Sequence, residues 1–113
     1  MADFSKRERA ELRRLAADVY EWELRGELEV LDKSFSDWRR GKLLSSELSD
    51  AIHEFHQHAA RDIWSMYQTL KDPELVARGI ALGAISDDAL SAELRDKIKP
   101  LSNHFREVRK GAV

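Results

Sequence analysis

The chain has 113 residues, the size of one domain and long enough to bury a core without metal or disulfide support. At 42% hydrophobic and 35% charged residues it is too apolar for a disordered chain and too charged for a membrane protein. The absence of cysteine excludes disulfides, thiolate metal sites and cysteine nucleophiles, and a net charge of −2 argues against a general affinity for nucleic acid.

Phe4-Ser5-Lys6-Arg7-Glu8 reads as a capping box, with Ser5 at the N-cap and Glu8 three residues on. No proline follows for many turns, and Gly41 after Arg39 and Arg40 reads as a stop, so the first helix is expected over about 6–40. Its apolar residues form two stripes. Leu12, Leu15, Val19 and Trp22 share one register; Leu24, Leu28, Leu31, Phe35 and Trp38 share another, displaced by two residues, with Gly26 at the changeover. At about 100° per residue the stripes point in well-separated directions. Either the helix bends or breaks near Gly26, or it stays straight and buries different faces at its two ends; the second is the expectation, with the Leu12–Trp22 end facing a partner subunit and the chain's own last helices as the alternative cover.

Ser45 or Ser46 caps a second helix, expected over about 46–70. Leu48, Ile52, Phe55, Ala59, Ile63, Met66 and Leu70 form its stripe, and His53, His56, Ala60, Trp64 and Tyr67 form a row beside it. Trp38 and Trp64 are expected in the core. Asp72-Pro73 opens a third helix to about Ile85, in which Gly79 and Gly83 permit close approach of a neighbour. A short helix follows over about 92–99, with Pro100 as its expected interruption and a last helical piece beyond it. The fold class is therefore all-α, a long antiparallel helical hairpin covered by two or three shorter helices, in one domain.

Chemistry-bearing residues concentrate at Asp50, His53, Glu54, His56, His58 and Asp62. A zinc motif of the H-E-x-x-H type fails, because Gln57 stands where the second histidine is needed. Asp50, His53 and His56 could still offer ligands to a divalent metal, which defines a metal-binding enzyme or sensor as the alternative to a non-catalytic module. No nucleophile elbow and no phosphate-binding loop is present, so no catalytic residue and no organic cofactor is assigned. The six bases between Arg95 and Lys110 could touch a phosphate backbone, but Phe105 is the one aromatic among them, and nucleic acid is disfavoured.

The run Glu47-Leu48-Ser49-Asp50-Ala51-Ile52-His53-Glu54-Phe55-His56, with Ala60-Arg61-Asp62-Ile63-Trp64 and Tyr67 after it, resembles small bacterial all-α proteins of unknown function. The resemblance spans roughly residues 10 to 100. It implies a bacterial, cytosolic origin and carries no activity. A cytoplasmic location also fits the missing cysteines, an N-terminus without the apolar core of a signal peptide, and the lack of any stretch near the ~20 apolar residues of a membrane span. The functional expectation is a protein-interaction or regulatory module, a homodimer or other homo-oligomer, with Leu12, Leu15, Val19 and Trp22 at the interface and no membrane partner.

Overall fold

The computed structural model describes residues 3–111, with side chains to 109, and every regular element among them is helical. Helix α1 (Lys6–Arg39) begins at the expected capping box: the Glu8 N–H donates to Ser5 Oγ (3.1 Å) and the Ser5 N–H to Glu8 Oε1 (2.8 Å). It runs unbroken through Gly26 and ends where Gly41 takes a positive φ of 76°. There the Lys42 N–H reaches the Asp37 carbonyl (2.9 Å) and the Gly41 N–H that of Trp38 (3.0 Å), which satisfies two of the helix's terminal carbonyls.

Helices α2 (Ser45–Glu54) and α3 (Ala60–Thr69) are joined by a π-helical turn, Phe55–Ala59. The Glu47 carboxylate accepts from the Leu44 N–H (2.9 Å), holding the start of α2. Helix α4 (Asp72–Leu82) starts in the same way, with Glu74 accepting from the Lys71 N–H (3.1 Å). It stops earlier than expected, at Gly83 rather than Ile85. Gly83 is left-handed (φ 85°), and the Ala84 N–H bonds back to the Gly79 carbonyl (2.8 Å). Gly83 is thus a cap, while Gly79 makes the close approach: a Cβ there would run into the γ-methyls of Val19. A 3₁₀ turn, Asp87–Ala89, leads into helix α5 (Ala92–Gly111).

Pro100 does not interrupt α5, contrary to its sequence reading. A proline leaves the carbonyl four residues earlier without its helical donor, here that of Asp96. Asp96 and Pro100 are both exposed, so water can take the place of that donor.

The residues group into two compact units, one drawn from the chain up to Tyr20 and from Leu70 onward, the other Glu21–Thr69. In the first, Leu12, Leu15, Ala16 and Val19 of α1 are buried together with Leu75, Val76, Ala77 and Ile80 of α4 and Leu94 and Ile98 of α5. This corrects the interface reading of Leu12, Leu15 and Val19, which are 1%, 2% and 0% exposed within the chain itself. The return of α4 and α5 supplies the apolar neighbours that a partner subunit was expected to bring. Two polar ties reinforce the unit. Ser91 donates its N–H (2.8 Å) and its hydroxyl (3.0 Å) to the two carboxylate oxygens of Glu11. Lys97 donates to the buried Glu8 carboxylate at 2.7 Å.

The second unit is an antiparallel helical hairpin. Near its loop the Trp38 indole N–H donates to Ser45 Oγ (3.0 Å), and near its open end the Tyr67 hydroxyl donates to Glu23 (2.7 Å). Among its described residues, Leu48 and Ile63 are the buried hydrophobic ones.

Candidate functional site

The hairpin carries more apolar surface than two helices can cover. Large hydrophobic side chains exposed on it are Trp22, Leu28, Val30, Trp38, Leu44, Ile52 and Trp64, whereas the other unit has Val108 in that class. Val30 is 65% exposed, Trp64 58% and Trp22 46%. All three tryptophans of the chain are in this set. Trp38 and Trp64 are therefore not core residues, contrary to the sequence reading. The physical reason is one of number. Two helices in contact hide only what lies on the seam, here Leu48 and Ile63 of the second rod, and leave flanking members of the stripes such as Leu28, Trp38 and Ile52 partly in water.

Between the helices lies a groove of about 330 Å3, lined by Val30, Leu31, Ala51, Phe55 and Ala59, with Glu27, Ser34, Glu54 and His58 also on its walls. The π turn forms part of one wall. Its defining bond runs from the Ala60 N–H to the Phe55 carbonyl, five residues back. A wider turn holds more residues than an α-turn, and so resets the helical phase from Ala60 onward. Phe55, Ala59 and Ile63 are spaced four and four, which overshoots an α-helical repeat and suits a locally wider turn. The sequence reading of one continuous helix over about 46–70 passes over this doubled spacing.

The structure places the metal candidates Asp50, His53 and His56 all at the surface, His53 in the last turn of α2 and His56 in the π turn. Among the described residues no three His, Cys, Asp or Glu side chains group as a metal would require. The pair that does meet is Glu54 and His58, 3.4 Å apart and both largely exposed. Of the four interface candidates, Trp22 alone is exposed and belongs to the hairpin.

Much of the basic C-terminal stretch is engaged within its own unit. Arg95 lies 3.9 Å from Asp88, Lys97 holds Glu8, Arg106 lies 3.8 Å from Asp87, and Arg109 donates to the Ala81 carbonyl (2.9 Å). The side chain of Lys110 falls outside the described residues. Glu8 is the titratable group whose environment moves it most clearly: the hydrogen bond from Lys97, then that from the Ser5 N–H, hold its carboxyl below the ordinary value. Its second oxygen, Oε2, is buried without a hydrogen-bond partner.

Among the described residues no helix is long and apolar enough to cross a membrane. No protein-family model matches the chain, and no curated protein and no solved structure matches it either.

Proposed function

We propose that the protein is a non-catalytic protein-interaction module whose contact surface is the apolar side of the hairpin Glu21–Thr69. The supporting observation is the exposure of Trp22, Val30, Ile52 and Trp64 on a unit that buries little else. Large apolar side chains left exposed on one part of a folded domain mark a contact site, and aromatic anchors are the side chains that most often carry interface energy. The groove beside Val30 offers such an anchor a place to insert.

Photo-crosslinking in the native host tests this reading. A benzophenone amino acid placed at Val30, Ile52 or Trp64 is expected to yield a protein adduct, while the same group at exposed Glu93 of the other unit yields none. If none of the three hairpin positions gives a protein adduct, the reading is wrong.

A further inference from the structure

We propose that the groove beside Val30 takes a basic amphipathic helix of a partner protein, which seats its apolar stripe between the hairpin's two rods while lysine or arginine side chains on either flank meet Glu27 and Glu54. The inference rests on the interaction reading above and adds the chemistry of the partner. Residue size makes the groove. Ala51 and Ala59 stand four residues to either side of Phe55, and with Val30 and Leu31 opposite they leave an apolar depression of about 330 Å3. That is the low end of the range for small-molecule pockets. Four of its lining residues, Glu27, Val30, Glu54 and His58, are exposed, so the groove admits one or two side chains of a larger partner and does not enclose a free ligand. An amphipathic helix laid into an apolar groove is a recurrent mode of recognition.

Charge selects the occupant. Glu27 on α1 and Glu54 on α2 put one carboxylate on each wall, and among the described residues no lysine or arginine lines the groove. The His58 imidazole stands 3.4 Å from Glu54. Asp50 and Asp62 continue the row of Glu54 and His58 at four-residue spacing, and both are exposed. Arg25, Glu29 and Asp32 line a separate depression on α1, which leaves Lys33 as the base nearest Val30 on that helix. On the second rod the nearest base is Arg61, next to Asp62 in sequence and so about 100° around the helix from it. Four carboxylates thus outnumber two bases around an apolar floor. Nucleic acid or an anionic lipid surface would meet repulsion here. A basic helix meets complementary charge on both flanks of its apolar stripe. With a screening length of about 8 Å, its bases count within about one helical turn of the seated side chain.

Two peptides of one helical design test the preference. They share a leucine stripe at i, i+3, i+4 and i+7 and differ only in the residues flanking it, arginine in one and glutamine in the other. Fluorescence anisotropy at low ionic strength is expected to give the arginine peptide a Kd about tenfold lower. Glu27→Gln with Glu54→Gln, both at exposed positions, should bring that ratio below about threefold with the helical circular dichroism unchanged. Glu93→Gln with Glu107→Gln, the same change of charge on the other unit, should leave the ratio as it is. Val30→Ser should weaken both peptides alike, by about tenfold. Binding that ignores the flanks, or a preference that survives Glu27→Gln with Glu54→Gln, overturns the basic-helix proposal and leaves the interaction reading standing. In the native host, the segment crosslinked from Val30 is expected to carry lysine or arginine within about one turn on both sides of an apolar residue. A segment without them, a second copy of this chain, or an adduct at Ile52 or Trp64 with none at Val30 overturns the proposal alone. No adduct at any of the three positions overturns both readings.

Discussion

The two units draw on one helix and treat its apolar residues in opposite ways. Up to Tyr20, α1 is enclosed by α4 and α5, and Leu12, Leu15 and Val19 are almost fully removed from water. From Glu21 on it meets one helical rod, and Trp22, Leu28, Val30 and Trp38 keep substantial exposure. The difference teaches that an amphipathic stripe specifies a demand for cover, not its source. Three helices meet the demand inside the chain, whereas two leave it partly unmet.

The largest expected effect comes from the covered end. Leu15→Ala should cost about 2–5 kcal/mol, because it removes buried methyl groups and leaves a cavity between packed helices. Trp64→Ala, measured in dilute protein so that association does not contribute, should fall within about 0.5 kcal/mol of wild type. Urea titrations of both variants measure the contrast directly. Comparable losses would mean that the hairpin's exposed residues stabilise the fold as core residues do, and the distinction between the units would fail.

Gly79→Ala sharpens the same distinction from the backbone side. The added methyl meets the γ-carbons of Val19, so α1 and α4 must separate or Val19 must shift, at about 1–3 kcal/mol. A double variant with Val19→Ala should recover part of that loss, since it removes the atoms in the way. A loss with no recovery would trace the cost to something other than this contact.

Much of this architecture is legible in the sequence. The Ser5/Glu8 box, the Gly41 stop and the Asp72-Pro73 start all rest on local backbone chemistry, and the structure has helix ends within a residue or two of each. What resists reading is the choice of neighbour. The mates of Leu12 and Val19 are Leu75 to Ile98, about sixty or more residues along the chain, and no local signal links them. Trp38 and Trp64 escape a core reading for the complementary reason: membership of an apolar row says nothing about how many helices stand ready to cover it. Pro100 shows the limit of a local penalty, which the packing of Leu94 and Ile98 outweighs. The histidine group looks chemical because its members are close in sequence, yet Asp50, His53 and His56 stay at the surface without assembling into a group of three.

A smaller effect is expected from acid. Glu8 titrates below its ordinary value of 4.5 because Lys97 and the Ser5 N–H favour its charged form. The sign follows: its contribution is fully present above the unfolded value and is lost as the pH falls through the unfolded and then the lower folded value. Glu8→Gln should therefore be less stable than wild type at pH about 7, with the gap closing below about pH 4.5. The loss should belong to the unit holding α5, leaving the hairpin's helicity unchanged. Parallel stability curves across that range would show that the Glu8–Lys97 contact does not couple folding to protons.

The smallest effect probes the boundary itself. Gly26 lies in α1 at the change of stripe, exposed, with nothing within 4 Å of where a Cβ would stand. In a continuous helix that position gains from a side chain, since glycine costs about 0.5–1 kcal/mol relative to alanine through the freedom it loses on folding. Gly26→Ala should then stabilise the protein by that amount and raise the midpoint of urea unfolding without changing the slope. If the changeover instead required a break, alanine would oppose it, and the variant would be neutral or destabilised. A stabilised variant means that the two stripes diverge because each half of one uninterrupted helix meets different neighbours, with the turn of direction written in residue spacing and not in a hinge.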